Sequence, residues 1–257
     1  PKTILISGAG LVGSLLSVLL GRRGYEVAIF ERRPDMRGVE VDSGRSINLA
    51  LSSRGIHALE QAGLLEEVRE LLIPMRGRAL HLSGGNEEFS SYGQRDEELI
   101  YSVSRRDLNC LMMSAAEEAK PVEIRFNQSV EKVDFETGEL TVVNLQDNSS
   151  YRRSFDLLIG ADGAGSPSRE ALLAVNGGEC SVDFLDHDYK ELEIPPLSSK
   201  SGGYQVEPEA LHIWPRGGYM LIALPNQDGS FTVTLFMPKQ GEISFEKLEN
   251  PDQLNAF

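Results

Sequence analysis

The sequence predicts an α/β fold: a parallel sheet with helices and a β meander, followed by a second, mainly antiparallel sheet. Three observations carry this. Two short apolar runs, at residues 3–7 and 155–159, lack the alternation of a half-exposed strand and suit buried parallel strands. Helical and β-like segments alternate up to about residue 178. From Ser181 onward, β-like runs at 186–194, 210–216, 219–225 and 230–237 follow one another with Pro, Gly and Asn breaks and no helix between them.

Residues 3–31 organise the first half. The strand at 3–7 runs into Gly8, Gly10 and Gly13, which fall in the G-x-G-x-x-G spacing. In such a turn the first Gly permits the sharp exit from the strand. The second lets a pyrophosphate approach the backbone, and the third lets the helix pack close to the strand. A helix over 11–20 follows, and its N-terminus presents unpaired N–H groups and a positive dipole end to an anion. A second strand at 26–30 ends in Glu31, whose carboxylate can accept both hydroxyls of an adenosine ribose and would repel a 2′-phosphate. The pattern reads as a Rossmann-like unit for FAD or NAD. The plain alternative is a glycine-rich strand–helix turn without a ligand.

Composition bounds the rest. The chain has 257 residues, of which 40% are hydrophobic and 25% charged, enough for one large domain or two smaller ones with their own cores. A net charge of −14 argues against nucleic acid and anionic membrane surfaces as partners. Cys110 and Cys180 form no C-x-x-C pair, which fits a reducing cytosol. His57, His81, His187 and His212 show no metal-ligand spacing, so no metal site is expected. No apolar run reaches the roughly 18 residues of a membrane span, and no signal peptide is expected because the N-terminus enters a strand at once.

Further along, residues 36–44 are polar and Gly-containing and read as a mobile loop, and 45–51 as a strand. Ser52 or Ser53 caps a helix carrying Ile56, Leu59 and Ala62, which Gly63 breaks. An amphipathic helix over 64–72 is expected to stop at Pro74. A strand follows at 79–83, and 84–98 read as a hairpin turn and excursion containing Phe89 and Tyr92. After a short strand at 100–103, Ser104-Arg105-Arg106-Asp107 opens a helix over 108–119 with Leu108, Leu111, Met112 and Ala115 on one face. Runs at 122–126, 129–135 and 139–145 read as the meander bound to the first sheet. A helix follows Arg169 up to residue 175, and Gly177-Gly178 reads as a hinge. Gly217-Gly218 and Gln227-Asp228-Gly229 are hairpin turns in the second sheet. The strand after Arg78 is assigned to that sheet, because a hairpin follows it and not a helix. The expected division is residues 1–72 and 97–178 for the dinucleotide, and 73–96 and 179–257 for a substrate.

Asp162-Gly163 sits where the strand at 155–159 ends, followed by Ser166 and Arg169. By itself this is a strand-to-helix turn with a capping Asp. With the first motif, it resembles the Asp-Gly fingerprint of the FAD-dependent aromatic hydroxylases of the p-hydroxybenzoate hydroxylase type. Longer strings sharpen the resemblance: Arg45-Ser-Ile-Asn-Leu-Ala-Leu, Met75-Arg-Gly-Arg78, Ser104-Arg-Arg-Asp-Leu-Asn109, Asp188-Tyr-Lys-Glu-Leu192, His212-Ile-Trp-Pro215, Ile222-Ala-Leu-Pro-Asn226 and Ser230-Phe-Thr-Val-Thr-Leu-Phe236. From Lys2 to about Pro238 the chain looks like the kynurenine 3-monooxygenase family.

The resemblance implies FAD as bound cofactor, NADPH as co-substrate, and O2 and L-kynurenine as reactants, with 3-hydroxykynurenine as product in tryptophan degradation. It implies that Glu31 and Arg32 hold the adenosine end. Leu49 and Ala50 would lie along the cofactor, Arg105 would meet its phosphate or ribose oxygens, and Asp162-Gly163 would serve the dinucleotide. Arg78 and Tyr92 would grip the amino-acid carboxylate, while Tyr189, Ile222, Leu224 and Phe236 would wall the aromatic ring. No catalytic side chain is expected, since the chemistry is the flavin's. Residue by residue, the plain alternatives are a strand-end Arg, a loop Tyr and ordinary sheet core. The family's third FAD motif, Gly-Asp followed by Ala-Ala-His, is absent, so a C-terminally incomplete chain is expected. The resemblance implies a cytoplasmic enzyme of bacterial type, or one at the outer mitochondrial membrane in a eukaryotic relative with a C-terminal anchor. The oligomeric state is left open. The competing readings are another flavin aromatic hydroxylase, an NAD-dependent dehydrogenase resting on residues 8–31, and a non-catalytic nucleotide-binding module.

Overall fold

The computed structural model describes residues 2–38, 47–197, 203–248 and 253. The expected loop residues 39–44, together with Arg45 and Ser46 of the expected strand, lie outside the described residues. In chain order the elements begin β1 (Thr3–Ser7), α1 (Leu11–Gly21), β2 (Glu26–Glu31), β3 (Asn48–Leu51), α2 (Ser53–Gln61), α3 (Leu65–Arg69), β4 (Ile73–Met75) and β5 (Gly77–His81). They continue with β6 (Glu87–Ser91), β7 (Ile100–Ser104), α4 (Arg105–Glu118), β8 (Val122–Phe126), β9 (Gln128–Asp134), β10 (Glu139–Asn144) and β11 (Ser150–Ser154). The last are β12 (Leu157–Gly160), α5 (Pro167–Asn176), β13 (His187–Ile194), β14 (Ala210–Pro215), β15 (Met220–Pro225) and β16 (Phe231–Pro238). The chain forms two compact units: residues 1–41, 57–68 and 107–181, and residues 42–56, 69–106 and 182–257.

The first unit is built on a parallel sheet in the order β12-β1-β2-β8. Ser7 stands beside both Gly160 and Phe30, so the C-terminal ends of β12, β1 and β2 come level. The apolar runs of β1 and β2 are buried, as the absence of alternation predicts: Leu5, Ile6 and Ile29 have no exposed surface. The run at 155–159, expected to be buried as well, is not: β12 is an edge strand of this sheet and Leu157 is 48% exposed. An antiparallel sheet, β11-β10-β9, packs Val130, Leu140 and Val142 against Leu5, Ala28 and Phe30. This meander differs from the expected one. Residues 122–126 join the parallel sheet as its edge strand beside β2, a pairing with a segment about a hundred residues earlier that local periodicity does not mark. The third meander strand is β11, Ser-Tyr-Arg-Arg-Ser, whose polar residues conceal it from a search for apolar periodicity.

The second unit contains an antiparallel sheet, β3-β7-β4, and a six-stranded sheet, β13-β16-β15-β14-β5-β6. Neighbours in the larger sheet are antiparallel except β14 and β5, which run parallel. The helix expected over 64–72 shortens to Leu65–Arg69, and Pro74 lies within β4 and not past a helix end. That position suits proline, since β4 is an edge strand and needs fewer ladder donors. The strand expected at 79–83 begins earlier, at Gly77, and Arg78 is inside it. The turn back to β6 is set by Leu82 N donating to Asn86 O, with Gly84 at φ 106°.

Candidate functional site

At the C-terminal edge of the parallel sheet, three segments meet: the glycine turn, the end of β2 and the end of β12. Gly8 has φ 100°, a left-handed conformation that glycine adopts without strain. A Cβ on Gly13 would lie 1.9 Å from Gly8 O, so α1 approaches the turn as closely as the third-glycine argument requires. Gly10 is the reverse case: a Cβ there meets nothing within 4 Å. Gly10 also occupies the N-cap of α1 without a side chain, and no acid stands in the first turn. The first turn of α1 thus has a positive dipole end with no side-chain cap, an arrangement that suits an anion.

Three side chains lock this turn. Ala9 N donates to Glu31 Oε2 (2.9 Å), and Ala9 O accepts from Ser14 Oγ (3.0 Å) and Asn109 Nδ2 (3.1 Å). Glu31 is 6% exposed and also accepts from Arg33 N (3.0 Å) and Arg33 Nε (2.9 Å). Burial pushes its carboxyl up, but the hydrogen bonds from Arg33 and Ala9 outweigh it and hold the pKa below the ordinary glutamate value. Glu31 is thus a fixed anion at the end of β2. Arg32, expected to share the adenosine end, is exposed, and it is Arg33 that pairs with Glu31. Asn109 and Ser14 carried no role in the sequence reading. Asn109 closes a matched string, the one signal that pointed near it.

Asp162 is turned toward its own helix. Its Oδ1 accepts from Ser166 Oγ, and its Oδ2 from Ser168 N (3.0 Å) and Ser7 Oγ (3.4 Å). Burial raises this carboxyl, while the Ser166 and Ser168 hydrogen bonds more than compensate and keep it ionised. Ser166 is the N-cap residue of α5 and accepts from Arg169 N, while Asp162 accepts from Ser168 N, so the expected capping role is shared between them. Gly163 has φ 83°, and a Cβ there would meet nothing within 4 Å. The open backbone at Gly10 and Gly163, the uncapped α1 and the fixed Glu31 fit an adenine dinucleotide such as FAD.

The remaining expected cofactor residues belong to the second unit. Leu49 and Ala50 lie on β3, opposite Val103 and Ser102. Arg105 is exposed at the start of α4, its N–H donating to Ile47 O (3.1 Å).

The expected substrate residues on the six-stranded sheet share one face, by register. Arg78 stands beside Leu211, Leu80 beside Ile213, and Ile213 beside Ile222. Ile222 stands beside Thr234, Leu224 beside Thr232, and Phe236 beside Tyr189. Side chains alternate along a strand, so all of these point the same way. The opposite face carries His212, Ala223, Phe231 and Val233, all buried. Ile222 and Leu224 are two strands across from Arg78, roughly 10 Å by strand spacing. Tyr189 and Phe236 occupy the far corner, on the order of 20 Å from Arg78, with ring centroids 6.3 Å apart. The face is a strip with a cation at one end and aromatic rings at the other.

Tyr92, just past β6, completes the cationic end. The Arg78 guanidinium carbon is 4.8 Å from the Tyr92 ring centroid. Tyr92 Oη is buried and has no hydrogen-bond partner among the described residues. Burial raises the phenol above its ordinary value, with the Arg78 charge opposing, so Tyr92 stays a neutral donor. Arg78 is exposed and forms no ion pair among the described residues. No group of three His, Cys, Asp or Glu side chains is arranged for a metal among the described residues, and no helix of theirs is long and apolar enough to cross a membrane.

The FAD binding domain family matches residues 2–238. A kynurenine 3-monooxygenase of Myxococcus xanthus is 49% identical over 255 residues, covering 99% of this chain and 54% of the relative. One of Stenotrophomonas maltophilia is 46% identical over 256 residues, covering 100% of this chain and 56% of the relative. The chain thus spans about half the length of the curated relatives it matches. Among solved structures, the p-nitrophenol 4-monooxygenase of Pseudomonas putida superposes with a TM-score of 0.75 at 16% identity, covering 99% of this chain and 63% of that one. A flavin-dependent monooxygenase in complex with FAD and substrate gives 0.74 at 18% identity, covering 99% and 45%. These likenesses are of fold.

Proposed function

Since the chain belongs to the FAD binding domain family, we propose that it is the FAD- and substrate-binding portion of an aromatic hydroxylase that converts L-kynurenine to 3-hydroxykynurenine with NADPH and O2. The observation that carries the reading is the strip on the six-stranded sheet. An exposed arginine with no acidic partner among the described residues lies against the ring of a half-buried tyrosine, and apolar and aromatic side chains continue along the same face. An aromatic amino acid has a carboxylate at one end and a ring at the other, and the strip is ordered the same way. The identity to enzymes named kynurenine 3-monooxygenase supports L-kynurenine as that amino acid.

The roles follow from the chemistry of each group. Arg78 binds the carboxylate by a charge-assisted fork, and Tyr92 adds a neutral hydroxyl donor. Ile222 and Leu224 hold the ring and exclude water from it; Phe236 and Tyr189, expected to wall the ring too, continue the same apolar face farther from Arg78 than one kynurenine reaches. Gly8, Gly10, Gly13 and the N-terminus of α1 receive the pyrophosphate of FAD, and Glu31 its ribose. Arg32, Leu49, Ala50, Arg105, Asp162 and Gly163 complete the cofactor contacts. When bound, FAD supplies the reduction by NADPH and the activation of O2, and the side chains supply binding and orientation. The functional division is part of this proposal: residues 1–72 and 97–178 serve the cofactor, and 73–96 and 179–257 the substrate. A cytoplasmic place in tryptophan degradation, toward NAD biosynthesis, belongs to it as well.

The test is NADPH oxidation stimulated by kynurenine in a chain of the relatives' full length, with product analysis. Formation of 3-hydroxykynurenine is expected. NADPH oxidation indifferent to kynurenine would sink the reading.

A further inference from the structure

Asn48 opens β3, next to Leu49 and Ala50, and is 9% exposed. Its Nδ2 donates to Ser102 Oγ (3.0 Å), Pro225 O (3.0 Å) and Asn226 Oδ1 (2.6 Å). Ser102, fully buried on β7, donates to the same Pro225 O (2.9 Å). Asn226 is held in turn: its Nδ2 donates to Ser230 Oγ (2.8 Å) and Thr232 Oγ1 (3.2 Å), and its carbonyl accepts from Tyr204 Oη (2.7 Å). Pro225 ends β15, one residue beyond Leu224. The network therefore ties the start of β3, through β7, to the end of β15, all within one compact unit.

Net stabilisation is an incomplete account of Asn48. Its Oδ1 is buried without a partner among the described residues, and a bare buried acceptor costs stability. An apolar side chain would remove that cost but take the Asn48 donor away from Ser102 Oγ and Asn226 Oδ1. What the amide supplies is direction: its two N–H donors, shared among three acceptors on two segments, fix where the start of β3 sits against the end of β15.

We propose that Asn48, Ser102 and Asn226 are positioning residues, a polar clamp that holds the strand bearing Leu49 and Ala50 against the strand bearing Ile222 and Leu224. Those are the cofactor-side and ring-side residues of the hydroxylase reading, on which this inference rests. The clamp sets how far the substrate ring lies from the flavin, and so which of two reactions occurs. In the coupled reaction, kynurenine, O2, NADPH and H+ give 3-hydroxykynurenine, H2O and NADP+. In the wasteful one, O2, NADPH and H+ give H2O2 and NADP+.

Asn48→Ala and Ser102→Ala are to be made in a chain of the relatives' full length, measuring hydroxylated product per NADPH oxidised, FAD affinity and thermal stability. Misplacement by a fraction of an ångström is expected to lower product per NADPH by roughly threefold in Asn48→Ala, with peroxide accounting for the rest and FAD affinity unchanged. Ser102→Ala, which removes one hydroxyl, is expected to lower it less and keeps the test open should Asn48→Ala fail to fold. In the 257-residue chain, amide exchange at 49–51 is expected to accelerate about tenfold in Asn48→Ala while β16 is unchanged. Variants that lose stability yet form product per NADPH as the wild type does overturn the clamp alone. A wild type without kynurenine-dependent NADPH oxidation overturns the hydroxylase reading and the clamp with it.

Discussion

Gly10→Ala and Gly13→Ala form a pair whose outcomes should diverge, because the structure assigns the two glycines opposite surroundings. At Gly10 the backbone is extended, with φ −72° and ψ −176°, and a Cβ meets nothing within 4 Å. Alanine there gains about 0.4–1 kcal/mol by restricting the unfolded chain and loses a similar amount as a poorer N-cap. Melting should therefore move by no more than about 3 °C for a chain of this size. The added methyl group stands where the anion would sit. Losing one hydrogen bond to a charged acceptor is worth about 1.5–3 kcal/mol, so FAD should bind roughly 10- to 150-fold more weakly. At Gly13 the same methyl group would lie 1.9 Å from the Gly8 carbonyl oxygen, which is backbone and cannot swing aside. Overpacking of that kind costs about 1–3 kcal/mol or more, so melting should fall by several degrees with or without ligand. The assay is differential scanning calorimetry, alone and with FAD, and titration calorimetry with FAD and ADP, in a chain of the relatives' full length. Unaltered FAD affinity in Gly10→Ala, or undiminished melting in Gly13→Ala, would refute the assignment of space at this turn.

Other perturbations test the remaining parts. Arg78→Ala should weaken kynurenine binding by about 2–3 kcal/mol, roughly 30- to 150-fold, and leave FAD affinity unchanged; kynurenine affinity like that of the wild type would remove Arg78 from the substrate site. Glu31 has a carboxyl pKa held below its unfolded value, so its ionised form stabilises the fold above the ordinary value of 4.5, and that contribution is lost as pH falls through the depressed folded value. Glu31→Gln should flatten the acid side of the stability curve, as read by urea melts at successive pH values. His212 is depressed by burial, with the Glu207 carbonyl opposing, so the unfolded chain takes up a proton below the ordinary value of 6.5 that the folded chain resists. Stability should decline as pH falls below that value, and His212→Asn should lose part of the decline in the same melts.

How much could be read from the chain depended on whether a feature was local. The unit from Thr3 to Glu31 was legible throughout, because its strands, glycine spacing and closing acid are all set by neighbours in sequence. The four strands after residue 186 were legible for the same reason, with Gly217 and Gly229 at positive φ in the turns that separate them. The meander was misread at both ends, since the fate of 122–126 depends on β2, about a hundred residues earlier, and the pairing of 150–154 on a distant partner. Pro74 looks like a helix stop until the edge position of β4 is known. At the site, Arg33 turns back onto Glu31, a pairing that nothing in the sequence marks. Asn48 and Asn109 act through atoms about a hundred residues or more away, Ala9 for Asn109 and Pro225 for Asn48. No periodicity marks such residues, and a buried amide within a strand or helix reads as an ordinary polar position.

The arrangement of the strip follows from what is packed behind it. On the six-stranded sheet, Ala223, Phe231 and Val233 form a core with Ile194, Tyr204, Val206, Trp214 and Leu221. A slip of one residue in β15 or β16 would turn this set outward and bring Ile222, Leu224 and Thr234 into its place. Burying these side chains is worth about 1.5–3 kcal/mol each, far more than any contact Arg78 makes in the folded chain, so the core dictates the register. Arg78 then takes its face without being selected for it locally: Ala79 stands beside buried His212, and alternation sends Arg78 the other way, beside Leu211. The cation at one end of the strip and the rings at the other are thus held in place by packing that touches neither. Polar substitution at Val233, on the face opposite the strip, should accordingly impair kynurenine binding and stability together. A variant there that loses stability while binding kynurenine as the wild type does would show that the strip is ordered by something other than the core behind it.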